Sequence, residues 1–243
     1  MERCKGHGWL TSLGVFGASV CLLAVTWLVM EPQALYRAFD HDGRSVVELL
    51  ALPLYAAIVP FVWWKCPFTG SRLRRNVLCA AVSCVAVMAI LKQTDAHVAL
   101  LAAAYPDVVA NFKGTPFKMR FLTSGVVPAG AKCFVVAYFV LFFGVFAALL
   151  AYFARAFVCG VFALHPAAWS VGCLGASGVM VQLCDRMPAW IRHARGLPKS
   201  AEIDGVRALF TALEEGGEVM IAVFALLAIG QAFARKNVAH DHA

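Results

Sequence analysis

The chain has 243 residues, of which 61% are hydrophobic and 14% are charged, and its formal net charge is +7. Soluble domains are about half apolar and about a quarter charged, so this composition excludes an ordinary soluble protein. The apolar residues lie in long runs, as membrane-spanning helices require. We therefore predict an all-α fold, a polytopic membrane helical bundle, in a single transmembrane domain covering residues 1–243.

The apolar runs, taken in chain order, predict about six transmembrane helices. The first run is too long for the apolar region of a signal peptide, so we interpret it as a retained helix. The second ends in Trp63 and Trp64, which are typical of residues at the membrane interface. In the fifth, Gly172, Gly175 and Gly178 are expected to let helices approach closely. The predicted spans are residues 9–30, 46–64, 76–91, 133–153, 157–183 and 209–233.

The stretch from Lys92 to Lys132 is the longest one predicted not to cross the membrane. Its apolar piece, Val98 to Tyr105, is too short to cross, so we expect a short re-entrant or interfacial helix after the third span. The break between the fourth and fifth spans is expected at Arg155, and the fifth span is expected to be interrupted at His165 and Pro166.

The distribution of basic residues predicts the orientation. With six spans, both termini lie on one side, together with the short basic loop from Lys65 to Arg75. The positive-inside rule makes that side cytoplasmic, so we expect a multi-pass protein of the bacterial inner membrane with N- and C-termini in the cytoplasm. The net positive charge is attributed to this topology. The lipid bilayer is then the predicted partner, nucleic acid is not, and no protein partner can be read from the sequence.

Several acidic residues fall inside the helices or at their ends on the opposite, outer side. A carboxylate within a membrane helix faces the bundle interior, pairs with a cation or lines water. Glu214 and Glu218 are four residues apart on one helical face, so their repulsion must be offset by a cation, a metal or protonation. Lys92, Arg186 and Arg207 are available on the same side. The candidate polar cluster is Glu48, Asp95, His97, Asp185, Glu214, Glu215 and Glu218.

Two interpretations of this cluster remain open. It could be a polar pocket that holds a divalent metal, a cationic group or a phosphate-bearing head group, with Glu214, Glu218 and His97 as candidate metal ligands. Alternatively, glutamates near a helix start favour the helix dipole, and ion pairs knit the helices together.

The motifs of common enzyme classes are missing from the sequence. We find no H-E-x-x-H, G-x-S-x-G, P-loop or Rossmann fingerprint, so no catalytic residue can be assigned. These observations favour a non-enzymatic membrane protein. The alternatives are a metal-dependent membrane-embedded enzyme acting on a lipid or lipid-linked substrate, and a small-solute or ion transporter. Internal repeats, which many transporters contain, are missing.

The polar residues also resemble those of a loose group of uncharacterised polytopic bacterial inner-membrane proteins. The resemblance rests on an acid opening the second span, an R-E-x-D-x-H-like stretch after the third, a lysine-containing loop with a proline before the fourth, an aspartate ending the fifth, and an L-E-E-x-x-E stretch in the last. It implies the architecture and the polar cluster, but no activity. The corresponding residues are Glu48, the stretch from Lys92 to His97, the stretch from Val127 to Lys132, Asp185 and the stretch from Leu213 to Glu218. Lys92 and Gln93 depart from the pattern, which has arginine and glutamate at these positions.

Overall fold

The computed structural model describes residues 8–39, 45–112, 119–197 and 204–240, except for the side chains of residues 36, 48, 119, 204 and 235–240. All regular secondary structure in those ranges is helical, which confirms the predicted all-α class. The helices are α1 (Gly8–Val29), α2 (Pro32–Phe39), α3 (Val46–Lys65), α4 (Arg72–Gln93), α5 (Ala96–Ala104), α6 (Pro106–Asn111), α7 (Met119–Thr123), α8 (Ala129–Phe162), α9 (Pro166–Ala194) and α10 (Asp204–His240).

Helices α1, α4, α8, α9 and most of α10 are long and apolar enough to cross a membrane. About 20 residues of helix are needed to span the hydrocarbon core. The apolar part of α3, Leu49–Lys65, is shorter than these five. The chain is therefore a multi-pass helical membrane protein on the length and composition of its helices.

Helices α8 and α9 meet at a different point from the one predicted. Helix α8 continues through Arg155 to Phe162, and α9 begins at Pro166. Arg155 is exposed, so its long side chain can reach polar surroundings without ending the helix. The break comes where Pro166 lacks a backbone N–H and Leu164 adopts a left-handed conformation with φ of 51°. Residues 157–162 were expected in the fifth span and instead belong to α8.

The stretch between α4 and α8 folds into the short helices α5, α6 and α7. They pack against the start of α8 around a separate apolar cluster that contains Leu101, Val109, Phe121 and Val135. Helix α5 begins at Ala96 and so covers most of the apolar piece from which a short helix was predicted. These helices form a layer at the end of the bundle where α4 ends and α8 begins.

Helix α10 is the central element of the bundle. It packs most extensively against α9 and also contacts α1, α2 and α3. Helix α3 in turn contacts α4, α4 contacts α8, and α8 contacts α9. Helices α3, α4, α8, α9 and α10 therefore form a closed ring of neighbours.

Two consecutive glycines of α10 allow the close approach of its neighbours. A Cβ atom on Gly217 would lie 2.6 Å from Val181 Cγ2, and one on Gly216 would lie 2.6 Å from Leu23 Cδ2. The prediction that Gly175 and Gly178 of α9 let helices approach closely is wrong, because a Cβ atom added to either would meet nothing within 4 Å. The small residues that matter are on α10, because it is the helix packed on several sides.

Buried hydrogen bonds join α1, α9 and α10 near the opposite end of the bundle from α5. The Oγ atoms of Ser12 and Ser170 are 2.8 Å apart, and Ser170 Oγ donates to Gln231 Oε1 at 2.8 Å. Gln231 Nε2 donates to Ser12 Oγ at 3.4 Å. Such contacts between small polar side chains hold membrane helices together, because lipid supplies no competing partners.

Replacing Gly217 with alanine is expected to destabilise the bundle by about 1–3 kcal/mol, because the branched Val181 side chain cannot move away freely. The matched control is Gly175→Ala, also in a membrane helix but exposed and without neighbours within 4 Å. That change should leave the melting temperature unchanged or raise it, since alanine favours the helix. Thermal melting of both variants in one detergent tests this, and equal melting temperatures would contradict it.

Candidate functional site: an ion pair across the helix ring

An ion pair connects α4 with α10. Lys92, in the last turn of α4, donates from Nζ to Glu218 Oε1 of α10. The Glu218 side chain is 8% exposed, whereas that of Lys92 is 56% exposed. The lysine therefore extends from an open position to a carboxylate that is otherwise buried.

This ion pair reaches across the ring of helices. Within the described ranges, α4 and α10 make no extensive contact with each other, and α3 lies against both. The long lysine side chain supplies the connection that the helices themselves do not make. Taking a carboxylate out of water costs several kcal/mol, and a hydrogen-bonded ammonium group offsets much of that cost. Lys92 thus supplies a hydrogen-bonded partner to a carboxylate that is buried inside the bundle.

Tyr55 of α3 completes the surroundings of Glu218. Its hydroxyl donates to the Glu218 backbone carbonyl oxygen at 2.9 Å, and the residue is buried. Tyr55 was not among the residues predicted from the sequence. Its position in the middle of an apolar span is a signal that could have identified it, because a buried tyrosine hydroxyl needs a hydrogen-bond partner.

Glu214 and Glu215 belong to the same region. Both are half-buried on α10, and both act electrostatically on Lys92. Glu218 and Glu215 also act electrostatically on Tyr55 of α3. Lys92 is thus within electrostatic reach of three carboxylates that the sequence placed on adjacent turns.

The start of α10 changes the interpretation of these glutamates. The helix begins at Asp204, earlier than the predicted 209, which places Glu218 about four turns from its N-terminus. The effect of the helix dipole is confined to about the first turn. The dipole therefore does not account for the position of Glu218, and the pairing with Lys92 does.

His97 lies close to this ion pair but has another partner. It is buried, its Nδ1 is 2.8 Å from the Leu91 carbonyl oxygen, and its ring stacks on Tyr138 with centroids 5.1 Å apart. The carbonyl can only accept, so Nδ1 carries the proton. Tyr138 donates to the Met88 carbonyl oxygen at 3.3 Å and is within electrostatic reach of Lys92. His97 and Tyr138 thus satisfy backbone groups at the end of α4 and hold it against α8.

The other predicted members of the cluster lie apart from Glu218 or outside the described side chains. Asp95 is exposed at the start of α5, with a left-handed φ of 49° and no side-chain capping bond. Asp185 is 53% exposed and lies 3.3 Å from Arg186. Glu48 is in α3, but its side chain is among those not described. The centre that the structure assembles is therefore Lys92 and Glu218 with Tyr55, Glu214 and Glu215, which we call the Lys92–Glu218 centre.

The candidate metal ligands have protein partners in the structure. Glu218 accepts from Lys92, and Nδ1 of His97 faces a carbonyl oxygen. Across the described part of the chain, no group of three or more His, Cys, Asp or Glu side chains is arranged to hold a metal ion.

Comparison of the chain with protein-family models, with curated proteins and with solved structures gives no match.

The two partners of the ion pair should respond differently to neutralisation. Lys92→Gln leaves a buried carboxylate without its cation, which should cost at least about 1–3 kcal/mol of stability. Glu218→Gln leaves an exposed lysine that can turn toward water and keeps a carbonyl acceptor, so it should cost less. The double variant should resemble Glu218→Gln, because the unpaired carboxylate is gone.

Thermal melting of the three variants in detergent tests this order. Arg186→Gln is the matched control, because it removes the cation from an exposed pair with Asp185 and should change little. If Lys92→Gln is no more destabilising than Arg186→Gln, the ion pair does not support the bundle.

Proposed function

We propose that the protein is a six-span protein of the bacterial inner membrane with both termini in the cytoplasm, and that it handles a small cationic solute without catalysing a reaction. The observation that carries this proposal is the Lys92–Glu218 centre, where an exposed lysine side chain covers a buried carboxylate. A competing cation can approach along the path that the lysine occupies. Ionisable groups inside a membrane bundle commonly mark such ion or solute pathways.

The packing of α3 supports the sixth span. It lies between α4 and α10, which are both long enough to cross, and it ends in Trp63, Trp64 and Lys65. Aromatic and basic residues at a helix end suit the membrane interface. A helix of 20 residues can reach across the hydrocarbon core, and α3 has that length. In this arrangement α5, α6 and α7 lie at the outer interface.

The charges of the centre favour a cationic ligand. Glu214, Glu215 and Glu218 all act on Lys92, so negative charge is concentrated around the position of its ammonium group. A monovalent metal ion or a small amine suits that position.

Cation binding can be measured through thermal stability at constant ionic strength. Replacing choline chloride with sodium, potassium or methylammonium chloride should raise the melting temperature of the wild-type protein for the cation that binds. The increase should disappear in Glu218→Gln. It should be larger in Lys92→Gln, because the internal competitor for the carboxylate has been removed.

The enhanced response of Lys92→Gln separates this proposal from a purely structural ion pair. If the ion pair is purely structural, the cations should change the melting temperature by the same small amount in all variants, including the control Arg186→Gln. If none of the three cations stabilises wild type or Lys92→Gln, the proposed function is wrong.

The topology has its own test. A green fluorescent protein fused to the C-terminus should be fluorescent in bacterial cells, and alkaline phosphatase at the same position should be inactive. Fusions after Gly196, which follows α9, should show the reverse result, since α10 is then missing. Identical behaviour at both positions would contradict the proposed number of spans.

A further inference from the structure

A groove on the lipid-facing side of the bundle lies between α3 and α10. It begins near Leu54 of α3 and Val223 of α10 and extends toward the ends of both helices, away from Lys92 and Glu218. It has a volume of about 950 Å³ and includes Ala57, Pro60 and Trp64 of α3 and Gly230 and Ala234 of α10. Ligand pockets commonly have volumes of roughly 300–1,000 Å³. The groove is therefore large enough for part of a lipid molecule.

Small residues on both helices create this space. Gly230 and Ala234 carry no large side chain, so they leave open space along α10, and Ala57 leaves open space along α3 in the same way. Pro60 has no backbone N–H for the turn before it, which favours a bend in α3. Pro60, Trp64 and Ala234 are exposed, so the groove opens toward the surrounding lipid.

A positive charge lies at the end of the groove where α3 ends. Lys65 Nζ is 3.6 Å from the centre of the Trp64 ring and 4.9 Å from that of Phe233 on α10. The ammonium group is thus held between aromatic rings of the same two helices that form the groove. Apolar walls that end at an ammonium group match a molecule with an acyl chain and an anionic head group.

The neighbouring start of α4 adds positive charge on the same side. Arg72, Arg74 and Arg75 lie in its first turn, which contains no acidic residue. Cations at a helix N-terminus oppose the helix dipole, so an anionic membrane surface would stabilise this end. Charge complementarity therefore favours an anionic phospholipid over a zwitterionic one.

We propose that the α3–α10 groove binds one anionic phospholipid of the leaflet on the Lys65 side, with an acyl chain in the groove and its phosphate on Lys65. This site shares no residue with the Lys92–Glu218 centre, so either proposal can fail without the other.

Native mass spectrometry of the detergent-purified protein tests the proposal with palmitoyl-oleoyl-phosphatidylglycerol and the phosphatidylcholine of the same chains. We expect one phosphatidylglycerol to bind in preference to phosphatidylcholine. Lys65→Gln should weaken this binding about fivefold, the contribution of one basic residue near an anionic surface. Lys65→Arg should retain it. Arg155→Gln is the control, because it removes the same charge from the exposed surface of α8, outside the groove.

A second pair of variants tests the groove itself. Gly230→Leu should fill the space and abolish phosphatidylglycerol binding. Gly230→Ala should preserve it, because its Cβ would lie 3.7 Å from the Phe61 ring, an ordinary contact. Melting temperature and size-exclusion profiles show whether each variant folds.

Three outcomes would overturn the proposal. The first is equal binding of the two lipids to the wild-type protein, and the second is phosphatidylglycerol binding unchanged in both Lys65→Gln and Gly230→Leu. The third is a dimer that Gly230→Leu converts to a monomer without any effect on lipid binding, which would assign the groove to a second copy of the chain.

Discussion

The hydrocarbon core offers no water to polar groups, and this constraint shapes every polar contact in the bundle. Ser12, Ser170 and Gln231 satisfy one another between three helices. Tyr55 gives its hydroxyl proton to a backbone carbonyl oxygen of α10. Glu218 has the greatest need of a partner, because it is a charged group that the packing of α10 removes from solvent. Lys92 supplies that partner from α4, which makes no extensive contact with α10 in the described ranges.

The central position of α10 explains why both proposed sites involve it. Its glycines at 216 and 217 admit Leu23 and Val181 closely, which brings the glutamates of the same turns into the bundle. Farther along, Gly230 lies in the α3–α10 groove, where an added Cβ would make only an ordinary contact with the Phe61 ring of α3. Glycine on this helix therefore permits close packing at one level and leaves open space at another, depending on how closely the neighbouring side chains approach.

The proposed sites differ in the chemistry that each can recognise. The Lys92–Glu218 centre concentrates carboxylates inside the ring, so it suits a cation that competes with an internal ammonium group. The α3–α10 groove presents apolar walls and an ammonium group to the membrane, so it suits an anionic lipid. A lipid in the groove would rest on α3 and α10, the helices that also carry Tyr55 and Glu218.

Composition and the spacing of apolar runs were sufficient to predict a helical membrane protein, because the bilayer imposes length and hydrophobicity on each helix separately. Spacing along the last helix also predicted that Glu214 and Glu218 share a face. The tertiary structure decided which cation meets Glu218, that Tyr55 joins it, and that Asp95 and Asp185 stay exposed. It also moved the turn before α9 from Arg155 to Pro166. Helix periodicity determines the face of its own helix on which a residue lies. The residue that it contacts on another helix depends on how the helices pack, and a local sequence pattern does not determine that packing.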